Sequence, residues 1–288
     1  DASRKIDNKS YNLLYSGGDG EKSTIDESAI TEIHEAHRDL LHRYTSYAGS
    51  NTPTNWSSGT NLNGSKDWKI RYWILEPTPL IEVLEKLQYE GGFIGRFNGQ
   101  GEFQYIYIPD SPSASESLDR EDLQDIKISL SDFNSLTTKM EIEYQKHPAE
   151  NRYDAIATSS NSTARTAYNI ATAENIKRVK LDAYVSPTIN TAPGASSAKN
   201  DCFYRYYDHI LGTPKILIET TVVNPKYMGI DVGDIVTIDF AGGFPKLMAF
   251  FGNNDWVGED GSGYMFMVTD STRMPGKLKL KLREIYNG

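Results

Sequence analysis

Phe93-Ile94-Gly95-Arg96-Phe97, then Asn98-Gly99-Gln100-Gly101, then Phe103-Gln104-Tyr105-Ile106-Tyr107-Ile108: two aromatic and β-branched runs flank an Asn-Gly pair. Such side chains suit a pleated, half-buried surface, and Asn-Gly supplies the positive φ that a tight turn needs. The stretch predicts a β-hairpin. Immediately upstream, Leu80, Leu84 and Leu87 form a helical stripe, with Thr78 as expected N-cap, Pro79 at the first helical position and Gly91 just past the end.

Working outward toward the N-terminus, residues 48–64 are rich in Asn, Thr, Ser and Gly and read as a long loop. Before it a helix is expected to start at Asp26 or Ser28, with Ala29, Ile30, Ile33, His37, Leu40 and Leu41 along one face. The first 20 residues are polar and end in Gly17-Gly18-Asp19-Gly20, a connector. Toward the C-terminus, alternation predicts strands over 126–128, 140–144 and 179–185, with His147-Pro148 breaking the second. A polar stretch over 159–165 and a Pro/Gly/Ser-rich loop over 187–199 separate them from a helix built on Phe203, Tyr206, Tyr207, Ile210 and Leu211, which Gly212 stops. Strands are expected over 215–223, 234–240, 264–269 and 277–286. The last sets Leu278, Leu280 and Leu282 against Lys277, Lys279 and Lys281, the pattern of a half-buried strand. With no βαβ rhythm and no repeat, the class is α+β with β dominant.

A chain of 288 residues is long enough for more than one core. The expected division is 1–65, helical and loop-rich; 66–170, an α+β module with the helix and hairpin; and 171–288, a second, β-rich and barrel-like module. The start at Asp1 without a Met implies processing or a longer parent polypeptide. Charge of −9 argues against a nucleic-acid-binding face, which would be basic. The one cysteine, Cys202, excludes an internal disulfide framework. No stretch reaches the roughly 18 apolar residues of a membrane helix.

Motifs for chemistry fail on spacing. His34, His37 and His42 lie near Glu32 and Glu35, but the zincin pattern needs its two His four apart, so a surface helix with one half-buried His is expected. Gly17 to Ser23 lacks the phosphate-loop glycines. Asn253, Asp255, Glu259 and Asp260 miss the EF-hand register, with Val257 and Tyr264 at ligand positions. Cys202 and His209 are seven apart, too far for a dyad on one helix, and Cys202 reads as a small core residue. Glu141 and Glu143 share a strand face through alternation, and Asp119, Glu121 and Asp122 form a second group of neighbouring carboxylates. A glycosidase requires two carboxylates facing one another across a cleft, an arrangement that spacing along a sequence does not display. Trp56, Trp68, Trp73 and Trp256 read as core and interface residues before sugar platforms. No catalytic, cofactor-binding or metal residue is assigned.

Several stretches resemble tail-tip, baseplate-hub and minor tail proteins of tailed bacteriophages. They are Trp73-Ile74-Leu75-Glu76-Pro77 through Ile108, Thr138 to Tyr144 with His147-Pro148-Ala149-Glu150, and Arg165 to Ile170 with Glu174-Asn175-Ile176-Lys177. Val222 to Val236, with Val232-Gly233-Asp234-Ile235-Val236, and Phe266 to Glu284, with Pro275-Gly276-Lys277, complete the set. They cover most of residues 70–286. The resemblance implies a β-barrel or sandwich hub-like module with inserted helices, no enzymatic activity, and a place in the virion after assembly in the host cytoplasm. It implies as partners other copies of the chain, in a trimer or ring, and neighbouring tail proteins: tail tube or distal tail protein, spike or fibre, and tape measure. The competing expectations are a phage-associated glycoside hydrolase or peptidase acting on the cell wall, and a module binding host glycans.

Overall fold

The computed structural model describes residues 29–45, 66–74, 77–98, 103–190, 198–239 and 264–287, with 5–6, 9–10, 23, 62 and 101. A short pair, β1 (Lys5–Ile6) and β2 (Lys9–Ser10), precedes helix α1 (Ile33–Tyr44). Then come α2 (Leu80–Gly91) and the predicted hairpin of β3 (Ile94–Phe97) with β4 (Phe103–Ile106), in register from Ile94 opposite Ile106 to Phe97 opposite Phe103. Next are β5 (Glu116–Asp119), β6 (Leu123–Leu130), β7 (Lys139–Lys146) and β8 (Tyr153–Ser160). They are followed by α3 (Ser162–Tyr168), β9 (Ile176–Lys180) and α4 (Phe203–Leu211). Strands β10 (Ile216–Val222), β11 (Ile235–Asp239), β12 (Tyr264–Met274) and β13 (Lys277–Asn287) close the chain.

The fold is α+β and β-dominant, as the sequence predicts. Its largest unit is a curled, half-barrel sheet of order β5-β11-β12-β13-β10-β6, antiparallel except for β5 beside β11. Leu278, Leu280 and Leu282 are buried on its concave core with Val236, Ile238, Phe266 and Val268, while the intervening lysines face out. Pro275-Gly276 joins β12 to β13, with Gly276 at φ 68, the Pro-Gly pattern of a type II turn. This sheet draws β5 and β6 from 116–130 and the rest from 216–287, across the boundary expected at residue 170. A second core gathers α1, α2, α4, the hairpin and the sheet β8-β7-β9 around Trp68.

Four local expectations are corrected. Helix α1 starts at Ile33 with Glu32 at its N-cap position, and the expected caps Asp26 and Ser28 lie outside the described residues. The backbone of 31–33 is engaged elsewhere: Ile33 N–H donates to Trp68 O at 3.0 Å and Ile70 N–H to Thr31 O at 3.0 Å. The Glu35 carboxylate then closes the turn, accepting from the N–H groups of Thr31 (2.9 Å) and Glu32 (3.1 Å). In α2, Pro79 rather than Thr78 is the cap, and the left-handed residue is Gly92, at φ 65. The strand expected over 179–185 ends at Lys180: Leu181 N–H still donates to Glu143 O at 2.8 Å, but the N–H groups of Asp182, Ala183 and Tyr184 bind a side chain, Glu90. Finally, the 159–165 stretch covers the end of β8 and the start of α3. Strand β8 escaped the pattern because Ala157 and Ser159 face inward while Ile156 faces solvent, 75% exposed. Helix α3 is capped by Asn161, whose Oδ1 accepts from Ala164 N–H at 2.9 Å. The connector expected at 17–20, the loop expected at 48–64 apart from Leu62, and the acidic stretch at 253–260 lie outside the described residues, with Trp56 and Trp256.

Candidate assembly interface

The histidines are built into the core. His34 and His37 are both buried, where one half-buried His was expected. His37 Nδ1 meets the Tyr105 hydroxyl at 3.0 Å and its Nε2 meets the Gln88 amide at 3.2 Å. Gln88 in turn accepts from Gly95 N–H at 3.0 Å, so the ring ties α1, α2 and the hairpin together. Burial, reinforced by His34, pushes the His37 pKa down to about 3, so the ring is neutral. His34 Nε2 lies 3.2 Å from Glu32, and His42 sits in the last turn of α1. Among the described residues no group of three or more His, Cys, Asp or Glu is placed to hold a metal.

Cys202 is fully buried ahead of α4, and His209 Nε2 reaches Ile285 O at 2.7 Å, so the two serve different parts of the core. Trp68 is buried and donates to Asn200 O at 2.7 Å. The carboxylates expected to face solvent do so beside cations: Glu141 lies 2.8 Å from both Lys139 and Arg178, and Glu143 lies 3.3 Å from Lys180. The two cations hold Glu141 below the usual carboxylate range. On the turn after β5, Asp122 accepts from the Asn224 amide at 3.1 Å, a local contact and not one wall of a cleft.

Sequence reasoning missed Glu90. Its carboxylate, 1% exposed, accepts from the N–H groups of Asp182 (2.9 Å), Ala183 (2.7 Å) and Tyr184 (2.9 Å). Burial pushes its pKa up to about 7, against the pull of those three donors. It lies on the inward stripe of α2 one turn after Lys86, and only the position of a Glu on an apolar stripe could have flagged it.

What remains at the surface is contact area. In the sheet β8-β7-β9, both outer strands pair on one side only among the described residues, apart from the Asn190 amide at Thr158 O (3.5 Å). Its solvent face runs across the strands in rows, Ile156–Glu143–Lys180 and Thr158–Glu141–Arg178. Phe133, exposed, packs edge-on against Tyr168 at 5.8 Å. The hairpin joins this body to the large sheet through the turn before β11. Arg96 pairs with Asp231 at 3.2 Å, and Gln104 reaches Val232 O at 3.5 Å. Gly233 (φ 97) admits Ile106, whose side chain would stand 2.7 Å from a Cβ there. Unpaired strand edges and outward apolar side chains are features that protein contacts use.

No protein-family model matches the chain, and no curated protein matches it. Among solved structures, a chain of the native gene transfer agent virion superposes with TM-score 0.50 at 10% identity, covering 87% of this chain and 46% of that one. A tail protein from Neisseria meningitidis MC58 gives 0.47 at 12% identity, with 88% and 66% covered. A prophage tail protein from Listeria monocytogenes EGD-e gives 0.41 at 10%, with 75% and 55%. The chain thus spans about half to two thirds of the length of these structures. The likeness is one of fold: this chain shares the fold of a chain in the gene transfer agent virion.

Proposed function

We propose that this chain is a structural subunit of a tailed-phage virion, in a tail-tip or baseplate hub, and that it is not an enzyme. In this reading copies of the chain form a ring at the distal end of the tail tube. The ring contacts the tube or distal tail protein, the tape measure and a spike or fibre. Assembly takes place in the host cytoplasm. The observation that carries the proposal is the superposition on the gene transfer agent virion chain over 87% of this one. The one-sided strands β8 and β9, at opposite edges of one sheet, support it as surfaces for head-to-tail contacts, which close into rings when the rotation permits. Residues 1–65 carry little of the resemblance and are proposed to make a separate contact in the particle.

Light scattering on the purified chain, with electron microscopy of the same sample, tests the ring. A concentration-stable trimer or hexamer with closed rings is expected. A monomer across the whole soluble range would overturn the ring. Cell-wall hydrolysis by the purified chain would overturn the non-enzymatic reading.

A further inference from the structure

Lys66 carries no sequence signal, yet its ammonium group is among the most enclosed polar groups described. The residue is 1% exposed. Its Nζ stands 3.4 Å from the ring centroid of Tyr206, 4.5 Å from that of Trp68 and 5.8 Å from that of Tyr107. It donates to Gly91 O at 3.2 Å and to Gly92 O. These carbonyls end helix α2, where the helix dipole is negative. Ring faces present the negative side of their quadrupole to a cation, so all five groups favour the same ligand chemistry.

Two of the three rings are held independently of Lys66. Trp68 donates to Asn200 O at 2.7 Å, and the Tyr206 hydroxyl accepts from Ile108 N–H at 3.3 Å. The end of α2 approaches the ammonium group and the Tyr206 ring closely. A Cβ on Gly92 would lie 2.5 Å from Nζ and 2.9 Å from the Tyr206 ring. Burial pushes the lysine pKa well down from its ordinary value, and Asp110 opposes that shift.

We propose that Trp68, Tyr107, Tyr206 and the carbonyls of Gly91 and Gly92 form a binding site for a primary alkylammonium group, filled in cis by Lys66. The bound ammonium pins the strand-like segment 66–70 to the end of α2, and through Trp68 to α4. Emptied of its own side chain, the cage accepts a free alkylamine.

The test is chemical rescue of the full-length Lys66→Ala protein with propylammonium, which replaces the atoms removed. Folding is followed by thermal melting, or by recovery of the folded signal where the variant is unfolded. The expected result is a lower Tm than the parent, and a concentration-dependent rise of about 5 °C once the amine exceeds its half-saturation a hundredfold. The parent should not respond, and 1-butanol, a neutral molecule of similar size, should not substitute. Rescue that fails, or that butanol reproduces, overturns the proposal. A Lys66→Met protein as stable as the parent also overturns it, because an apolar side chain of similar length would then serve equally well.

Discussion

The half-barrel sheet and the core around Trp68 solve burial in different ways. In the sheet, Leu278, Leu280 and Leu282 alternate with lysines, and the backbone polar groups are spent on neighbouring strands. Around Trp68, by contrast, His37, Lys66 and Glu90 are buried with the apolar side chains, and each is satisfied by groups far away in sequence. The first region is stabilised chiefly by area removed from water, with one buried polar pair at its end: Glu284 accepts from Ile216 N–H at 3.0 Å and lies 3.9 Å from Lys215. The second also depends on a few polar groups finding their partners, and a buried donor left without one costs more than a made hydrogen bond contributes.

The largest expected effect tests that difference. Glu90→Ala strands three backbone N–H groups, and we expect a loss of about 4 kcal/mol by denaturant unfolding. Leu280→Ala, which opens a cavity in the sheet, should cost about 3 kcal/mol. The reverse order would break the comparison.

A pH series on Glu90→Gln sharpens it. With its pKa raised from the ordinary 4.5 to about 7, Glu90 keeps a proton in the folded state that the unfolded chain releases. That contribution is whole below 4.5 and is lost as pH rises through about 7. The stability gap between parent and Glu90→Gln should therefore shrink over this window, by about 3 kcal/mol. A gap independent of pH would show that the carboxyl titrates at its ordinary value when folded. The smallest effect belongs to the contact between the two regions. Arg96 and Asp231 are partly exposed, so Arg96→Ala should cost about 0.5 kcal/mol, and less at high salt. A loss several times larger would make the hairpin a structural joint and merge the two regions into one cooperative unit.

The hairpin at 94–106, the final strand and the stop of α4 at Gly212 were legible because local pattern and final environment agree. Strand β8 was not, because its bulky Ile156 faces out and its small residues face in. The start of α1 was misplaced because residues 31–33 bond to 68–70, a partner no local window contains. Of the candidate interface, the alternation of Glu141 and Glu143 was readable. That β7 lies between β8 and β9 was not, since β9 arrives parallel from beyond α3.

By itself the sequence determined the β-dominant α+β class and most elements with regular alternation or clear stop residues, because hydrophobic period and turn chemistry act over a few residues. Tertiary structure alone decided which strands share the six-stranded sheet, why the backbone of 182–184 closes on Glu90, and why an ammonium group lies among Trp68, Tyr107 and Tyr206. Those outcomes depend on polar and aromatic groups brought together from distant parts of the chain, and composition and local period carry no record of such meetings.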